Sequence, residues 1–200
     1  MRSSHIESSA QVSATADLGE NIKIWHFSQI RENVFIGDNV VIGSMVHIGS
    51  GVRIGSNSKI QNSALIYEPA IIGSGVFIGP GVIFTNDHNP RAINPDGLQK
   101  NASDWNPVRV EVEEGASIGA GAICIAPVKI GRWASIGAGA VVTKTVKPFA
   151  LMVGIPARQV GWVGRAGKKL TNVNSNVFIC PQTNETYIQV NEDLVPEGFK

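Results

Sequence analysis

Histidine, asparagine and arginine gather in one short stretch of this chain, Asn86-Asp87-His88-Asn89-Pro90-Arg91. An imidazole titrates near neutrality, so His88 is a candidate general base for a reacting group. Asn86 can hold and orient a polar ligand, but an amide is no base at neutral pH. Arg31 and Arg91 carry permanent charge that suits a phosphate or a carboxylate, and suits a surface ion pair equally well. His26 and His47 occupy positions of a repeat that do not stack, and His88 falls on another face. Three histidines converging on one metal are therefore not expected. Cys124 and Cys180 lie far apart in the sequence. A buried thiol and a reducing compartment are the simpler reading.

The elements that must position these groups are legible as a period of six. An aliphatic residue returns at Ile6, Val12, Leu18, Ile24 and onward to Ile78 and Phe84, then again from Val112 to Val142. Of these 20 positions, 18 are Ile, Val or Leu, which chance does not produce. The fifth place of each unit is Ala, Ser, Val or Ile, except in the unit starting at Phe84, where it is His88. Glycine recurs at the second place, where it permits either a turn or a close backbone approach. A fixed short period marks a solenoid, and six residues suit one short strand and a corner of a parallel β-helix. The expected architecture is all-β, with 18 residues per coil. First and fifth places should point inward and stack coil on coil.

Hexads cover residues 6–89 and 112–147, and the 28-residue spacing from Phe84 to Val112 breaks the phase. Residues 85–109 are therefore expected to leave the coil as one long inserted loop rich in Asn, Asp, Pro and Gly. A loop of this length inside a compact domain is commonly functional. Residues 1–158 form the expected β-helix domain and 159–200 a small appendage. A hairpin is expected there, from Val177–Cys180 and Thr186–Val190 around Gln182-Thr183-Asn184-Glu185. A net charge of +1 favours neither nucleic acid nor an anionic membrane as partner. Without an apolar leader or a membrane-length apolar run, the expected location is cytoplasmic.

The combination Gly137-Ala138-Gly139-Ala140-Val141-Val142-Thr143-Lys144, Val153-Gly154-Ile155-Pro156-Ala157-Arg158 and the excursion after Phe84 resembles the hexapeptide-repeat acyltransferases. That resemblance implies a left-handed β-helix, a homotrimer and acetyl-CoA as acyl donor. Handedness comes from the resemblance alone. Ile24-Trp25-His26-Phe27, Ile30-Arg31-Glu32, Lys59-Ile60-Gln61-Asn62, Phe84-Thr85-Asn86-Asp87, Pro90-Arg91-Ala92 and Gly161-Trp162-Val163 are similar to one subgroup. Its members acetylate the 3-amino group of UDP-2-acetamido-3-amino-2,3-dideoxyglucuronate for surface polysaccharide.

The resemblance implies an active site between two subunits. Backbone amides near Ala120 and Ala138 would meet the pantetheine arm, with Lys144 and Arg158 on the CoA phosphates. Asn86 would sit beside the acceptor amine, while Arg31, Glu32, Gln61, Asn62 and Arg91 would hold the nucleotide sugar. A dTDP-linked 3-amino-6-deoxyhexose is an alternative acceptor, and a non-catalytic binding scaffold is an alternative of another class. Some relatives carry paired cysteines after the Gly-Trp-Val. Here Gly164-Arg165-Ala166-Gly167 and Cys180-Pro181-Gln182-Thr183 supply one thiol, so no metal site is expected.

Overall fold

The computed structural model describes residues 4–198; Met1–Ser3 of the amino terminus and the last two residues of the appendage lie outside the described residues. Two-residue strands succeed one another every six residues from His5–Ile6 to Ile83–Phe84, and no helix occurs among the described residues. Each of these strands pairs in parallel with the strand 18 residues on, as in His5 with Lys23 and Lys59 with Phe77, except the last three, whose next partners lie 40 residues on, as in Phe77 with Ser117. Three sheets of nine, seven and six strands result. They are the faces of a left-handed parallel β-helix. The first sheet contains Ile6, Ile24 and Ile42, the second Val12, Ile30 and Ile48, and the third Leu18, Ile36 and Ile54.

The core is the stack of first and fifth places. Ile24, Ile36, Ile42, Ile48, Ile54, Ile60 and Ile66 are fully buried, as are Val34, Val40, Val52, Ala64 and Val82. Serine at the fifth place is accommodated because the next coil satisfies it. The Ser28 hydroxyl donates to the Gly43 carbonyl at 2.6 Å and accepts from the Val46 amide at 3.2 Å. Of the two reasons for glycine at the second place, close approach is the operative one. A Cβ on Gly119 would lie 2.5 Å from the Ala138 amide nitrogen of the next coil. The turn itself is made at the fourth place, where the backbone is left-handed: Asn39 has φ 58° and Gly139 has φ 67°. Asparagine tolerates that conformation best after glycine, and Asn21, Asn39 and Asn57 add a ladder of amide hydrogen bonds at 3.1 and 3.2 Å.

The coil breaks where the phase does. Strand Ile83–Phe84 is followed by Val110–Val112 in the third sheet, and the loop stem closes with the Val108 amide donating to the Asn86 carbonyl at 3.0 Å. Within the loop, Ile93 and Gln99 form an antiparallel bridge, and the Asn94 carbonyl accepts from the Gly97 amide. A second departure comes at the last coil. The hexad expected over 142–147 is not completed. Ile130 pairs with Val146 and Ser135 with Leu151, a spacing of 16. The Thr143-Lys144-Thr145 corner is two residues shorter than the others.

The chain then reverses, so that Arg158–Trp162 runs antiparallel to Ala150–Val153. The appendage carries the expected hairpin, Val177–Ile179 with Thr186–Val190. It is extended to a four-stranded antiparallel sheet by Thr171–Asn172 and Asp193–Pro196. Phe149 and Tyr187, both buried, meet edge to face at 5.4 Å and join the appendage to the coil. The Tyr187 hydroxyl accepts from the Arg165 amide and donates to Glu185. The turns around residues 164–167 and 180–185 are thus tied together by side-chain hydrogen bonds.

Candidate functional site

Two edges of the prism flank the second sheet, and the candidate residues divide between them. Arg31, Glu32, Asn86, His88 and Arg91 lie on the edge between the second and third sheets, from which the long loop springs. Gln61, Asn62, Ala120 and Ala138 lie on the edge between the first and second sheets. One chain therefore does not bring Gln61 and Asn62 to Arg31 and Arg91.

On the loop edge, Tyr67, Glu68, Asn86, Asp87, Arg91 and Trp105 line a recess of about 480 Å3, together with Lys100 and its neighbours. The Asp87 carboxylate accepts from the Asn89 amide at 2.8 Å and the Arg91 guanidinium donates to the Pro90 carbonyl at 2.8 Å, bonds that shape the start of the loop. Neither Arg91 nor Lys100 pairs with a carboxylate among the described residues, so both cations remain available to an anionic ligand. His88 is exposed on the outside of this segment. Further down, the Arg31 Nε donates to Glu32 at 3.1 Å. Backbone hydrogen bonding and this arginine hold the Glu32 carboxyl below its usual range. The guanidinium keeps four further N–H donors.

Three contributors on this edge were not singled out from sequence: Tyr67, Glu68 and Lys100. For Tyr67 a signal existed, since it fills the second place of its hexad, where glycine is the rule. His47 is another. Its ring faces Tyr67 at 5.3 Å and its Nδ1 lies 3.2 Å from Gln29 Oε1. Burial pushes its pKa down, which favours the neutral ring. His26 is occupied elsewhere, with Nδ1 3.0 Å from the Ser9 hydroxyl.

The other edge changes character along its length. Its left-handed fourth place is Phe27, Met45 and Ser63 in the lower coils, and Gly81, Gly121 and Gly139 in the upper ones. A Cβ added at any of these three glycines would meet nothing within 4 Å. The upper edge is thus bare backbone facing open space, which a narrow, extended ligand can approach closely. Lower on the edge, the Ser44 amide is capped at 3.0 Å by the side chain of Asn62, one coil up. Above Ala120 stands Ala138, which has no side-chain acceptor to offer. The same edge runs up to Arg158, whereas Lys144, between the second-sheet strand Val141–Val142 and Val146 of the third sheet, stands at the top of the loop edge. Lys144 follows strand Val141–Val142, and the Ala157 amide donates to the Val141 carbonyl at 2.8 Å, setting Arg158 beside the same strand. Neither cation forms an ion pair among the described residues.

The family follows from the repeat. A model of bacterial transferase hexapeptides (six repeats) matches residues 15–50, 33–68 and 51–86. A model of the hexapeptide repeat of succinyl-transferase matches residues 109–144. The chain belongs to the hexapeptide-repeat transferase family. The matches stop at the loop on one side and resume beyond it on the other. No curated protein matches the sequence significantly.

Solved structures agree in fold. One is PerB from Caulobacter crescentus in complex with CoA and GDP-perosamine, at 24% identity and a TM-score of 0.50. That match covers 80% of this chain and 57% of PerB, so the chain spans little more than half of that protein. A hexapeptide-repeat acetyltransferase from Vibrio cholerae, complexed with acetyl-CoA, matches at 23% identity and a TM-score of 0.55, covering 65% of this chain and 70% of that one. A maltose O-acetyltransferase from Clostridium difficile matches at 21% identity and a TM-score of 0.50, covering 77% and 70%. Among the described residues no helix is long and apolar enough to cross a membrane.

Proposed function

We propose that this transferase moves acetyl from acetyl-CoA to the amino group of a nucleotide-linked amino sugar, with UDP-2-acetamido-3-amino-2,3-dideoxyglucuronate the favoured acceptor. The observation that carries the reading is the loop-edge recess, where Asn86 lies with two cations free of carboxylate partners, Arg91 and Lys100. A sugar bearing both a carboxylate and a diphosphate uses that charge; a neutral sugar such as maltose does not. The bare glycine edge ending at Arg158 supplies the complementary half, a narrow track with a cation at its end for the phosphates of CoA, and Lys144 at the top of a facing loop edge adds a second. PerB, of the same fold, was solved with CoA and a nucleotide-linked sugar, which supports both halves.

In this reading the amine lone pair attacks the thioester carbonyl carbon, the C–S bond breaks, and CoA leaves as the thiol. The amine is already a good nucleophile, so positioning does most of the catalytic work. Asn86 orients the amine, coil amides stabilise the oxyanion, and His88 accepts the amine proton and returns one to the departing sulfur. Because the two half-sites occupy different edges of one chain, a complete site takes two copies. The glycine edge of one faces the loop edge of the next, in a closed homotrimer. Gln61 and Asn62 then reach the acceptor from the neighbouring copy. No resident metal takes part.

Turnover of acetyl-CoA against UDP-, dTDP- and GDP-linked amino sugars, with and without a carboxylate, tests the proposal. Preference for the UDP-linked uronate is expected. Acetylation of maltose or another free sugar with no nucleotide-sugar turnover would overturn it.

A further inference from the structure

Three recesses lie along the loop edge, and they share residues. The lowest, about 380 Å3, is lined by Gln11, Gln29, Arg31 and Glu32. The middle one, about 310 Å3, is lined by Arg31, His47, Tyr67 and Glu68. Tyr67 and Glu68 line the upper recess too, beside Asn86 and Arg91. Arg31 joins the lower pair and Tyr67 the upper pair, so the groove is continuous from the first coils to the loop. In the second sheet Gln29 pairs with His47, His47 with Leu65 and Leu65 with Ile83. Arg31 and Asn86, each just beyond its strand, are therefore three rungs apart, roughly 14 Å at ~4.8 Å per rung. That length suits an extended nucleoside diphosphate sugar and exceeds a single sugar ring.

The middle of this groove is aromatic. His47 and Tyr67 stand on successive coils with ring centroids 5.3 Å apart and planes tilted by 48°. Tyr67 is 37% exposed, and His47 is partly exposed and held from below by Gln29. Nothing in the coil requires a ring at position 67, since glycine serves that place at 43, 49 and 55. Two partly exposed rings fixed on rigid neighbouring coils form a ledge, and base-on-aromatic stacking tolerates any base.

We infer that the nucleoside of the substrate lies on the Tyr67–His47 ledge. This inference rests on the nucleotide-sugar reading and gives the substrate a direction. The sugar amine is at Asn86, the anionic groups are beside Arg91 and Lys100, and the nucleoside points down the edge towards Arg31. Tyr67 and His47 are then binding residues for the nucleotide, separate from the chemistry at the loop.

Calorimetric titration of the full chain with UDP, repeated with dTDP and GDP, tests the ledge. Tyr67→Ala and His47→Ala should each weaken UDP about tenfold or more, the usual scale for losing a stacking ring. His47→Phe, which keeps a ring, should hold affinity near that of the unaltered protein. Unchanged CoA affinity in all three confirms that the fold is intact. If UDP binds and the two alanine variants bind it equally well, the ledge is wrong while the nucleotide-sugar reading stands. If His47→Phe weakens UDP as much as His47→Ala, stacking is refuted. If CoA binds but none of the three nucleoside diphosphates does, the nucleotide-sugar reading itself fails and the ledge falls with it.

Discussion

At the scale of single residues, the proton and the positioning of the acceptor are separable. His88→Asn should lower the maximal rate by about 10²-fold and shift or remove the acidic limb of the pH–rate profile. Asn86→Ala should weaken use of the sugar and leave that limb in place. A fully active His88→Asn enzyme with an unaltered profile would pass proton transfer to the departing sulfur. His47 makes a different pH prediction, on stability. Its folded-state pKa is lowered from 6.5 by burial, so below that pH the unfolded chain binds the proton more readily. The contribution is fully present above pH 6.5 and is lost as pH falls towards the folded value. Melting curves of His47→Phe should therefore decline less than those of the unaltered protein between neutral and mildly acidic pH. Cys124, by contrast, is a packing residue. Burial pushes its thiol up to about 12, which leaves it without thiolate at neutral pH.

At the scale of elements, the glycine edge and the stacked core have different sensitivities. Gly139→Val places a branched side chain at φ 67° in the open space proposed for CoA. It should raise the Michaelis constant for acetyl-CoA far more than that for the sugar. Lys144→Ala and Arg158→Ala should do the same, the signature of lost ground-state binding. Unchanged CoA affinity in Gly139→Val and Arg158→Ala would move the donor off this edge. Within the core, Ile54 is fully buried between identical neighbours at 36 and 72. Ile54→Ala should cost about 2–5 kcal/mol, read by denaturant unfolding. Each coil contacts only its neighbours, so the loss should fall on local coils first.

At the scale of the whole molecule, the proposed division of the site between two edges predicts that activity requires assembly. Light scattering should report a trimer. A sharper check co-expresses two impaired variants, Gly139→Val and His88→Asn, and assays them at low acetyl-CoA, where each alone should show little activity. In mixed trimers some sites combine an intact glycine edge from one copy with an intact loop edge from the next, so activity should partly return. Activity that stays absent in verified mixed trimers would place the whole site within one chain. The appendage closes the carboxy-terminal end of the coil through the Phe149–Tyr187 contact and the Lys147–Glu192 pair at 2.6 Å. The pair is largely exposed, so packing around Tyr187 carries the docking.

Sequence alone determined the coil, because six-residue periodicity is a local code: inward Ile, small fifth residues and close-approach glycines repeat wherever a coil repeats. The break at Phe84 was legible for the same reason, as a loss of phase, and the strands of the tail hairpin were legible from their turn residues. What it did not determine are relations between side chains of successive coils, or between a coil and the loop, on one edge. Tyr67 with His47, and Lys100 folding back beside Asn86, are such relations, the second made by a loop with no period at all. The shortened last coil also escaped, since Val142 and Val146 read equally well as first and fifth places of a full hexad. Only the tertiary structure decided that the left-handed turn sits at the fourth place rather than the second. Only it placed the two candidate half-sites on separate edges, because an edge is defined by stacking between coils and not by any one hexad.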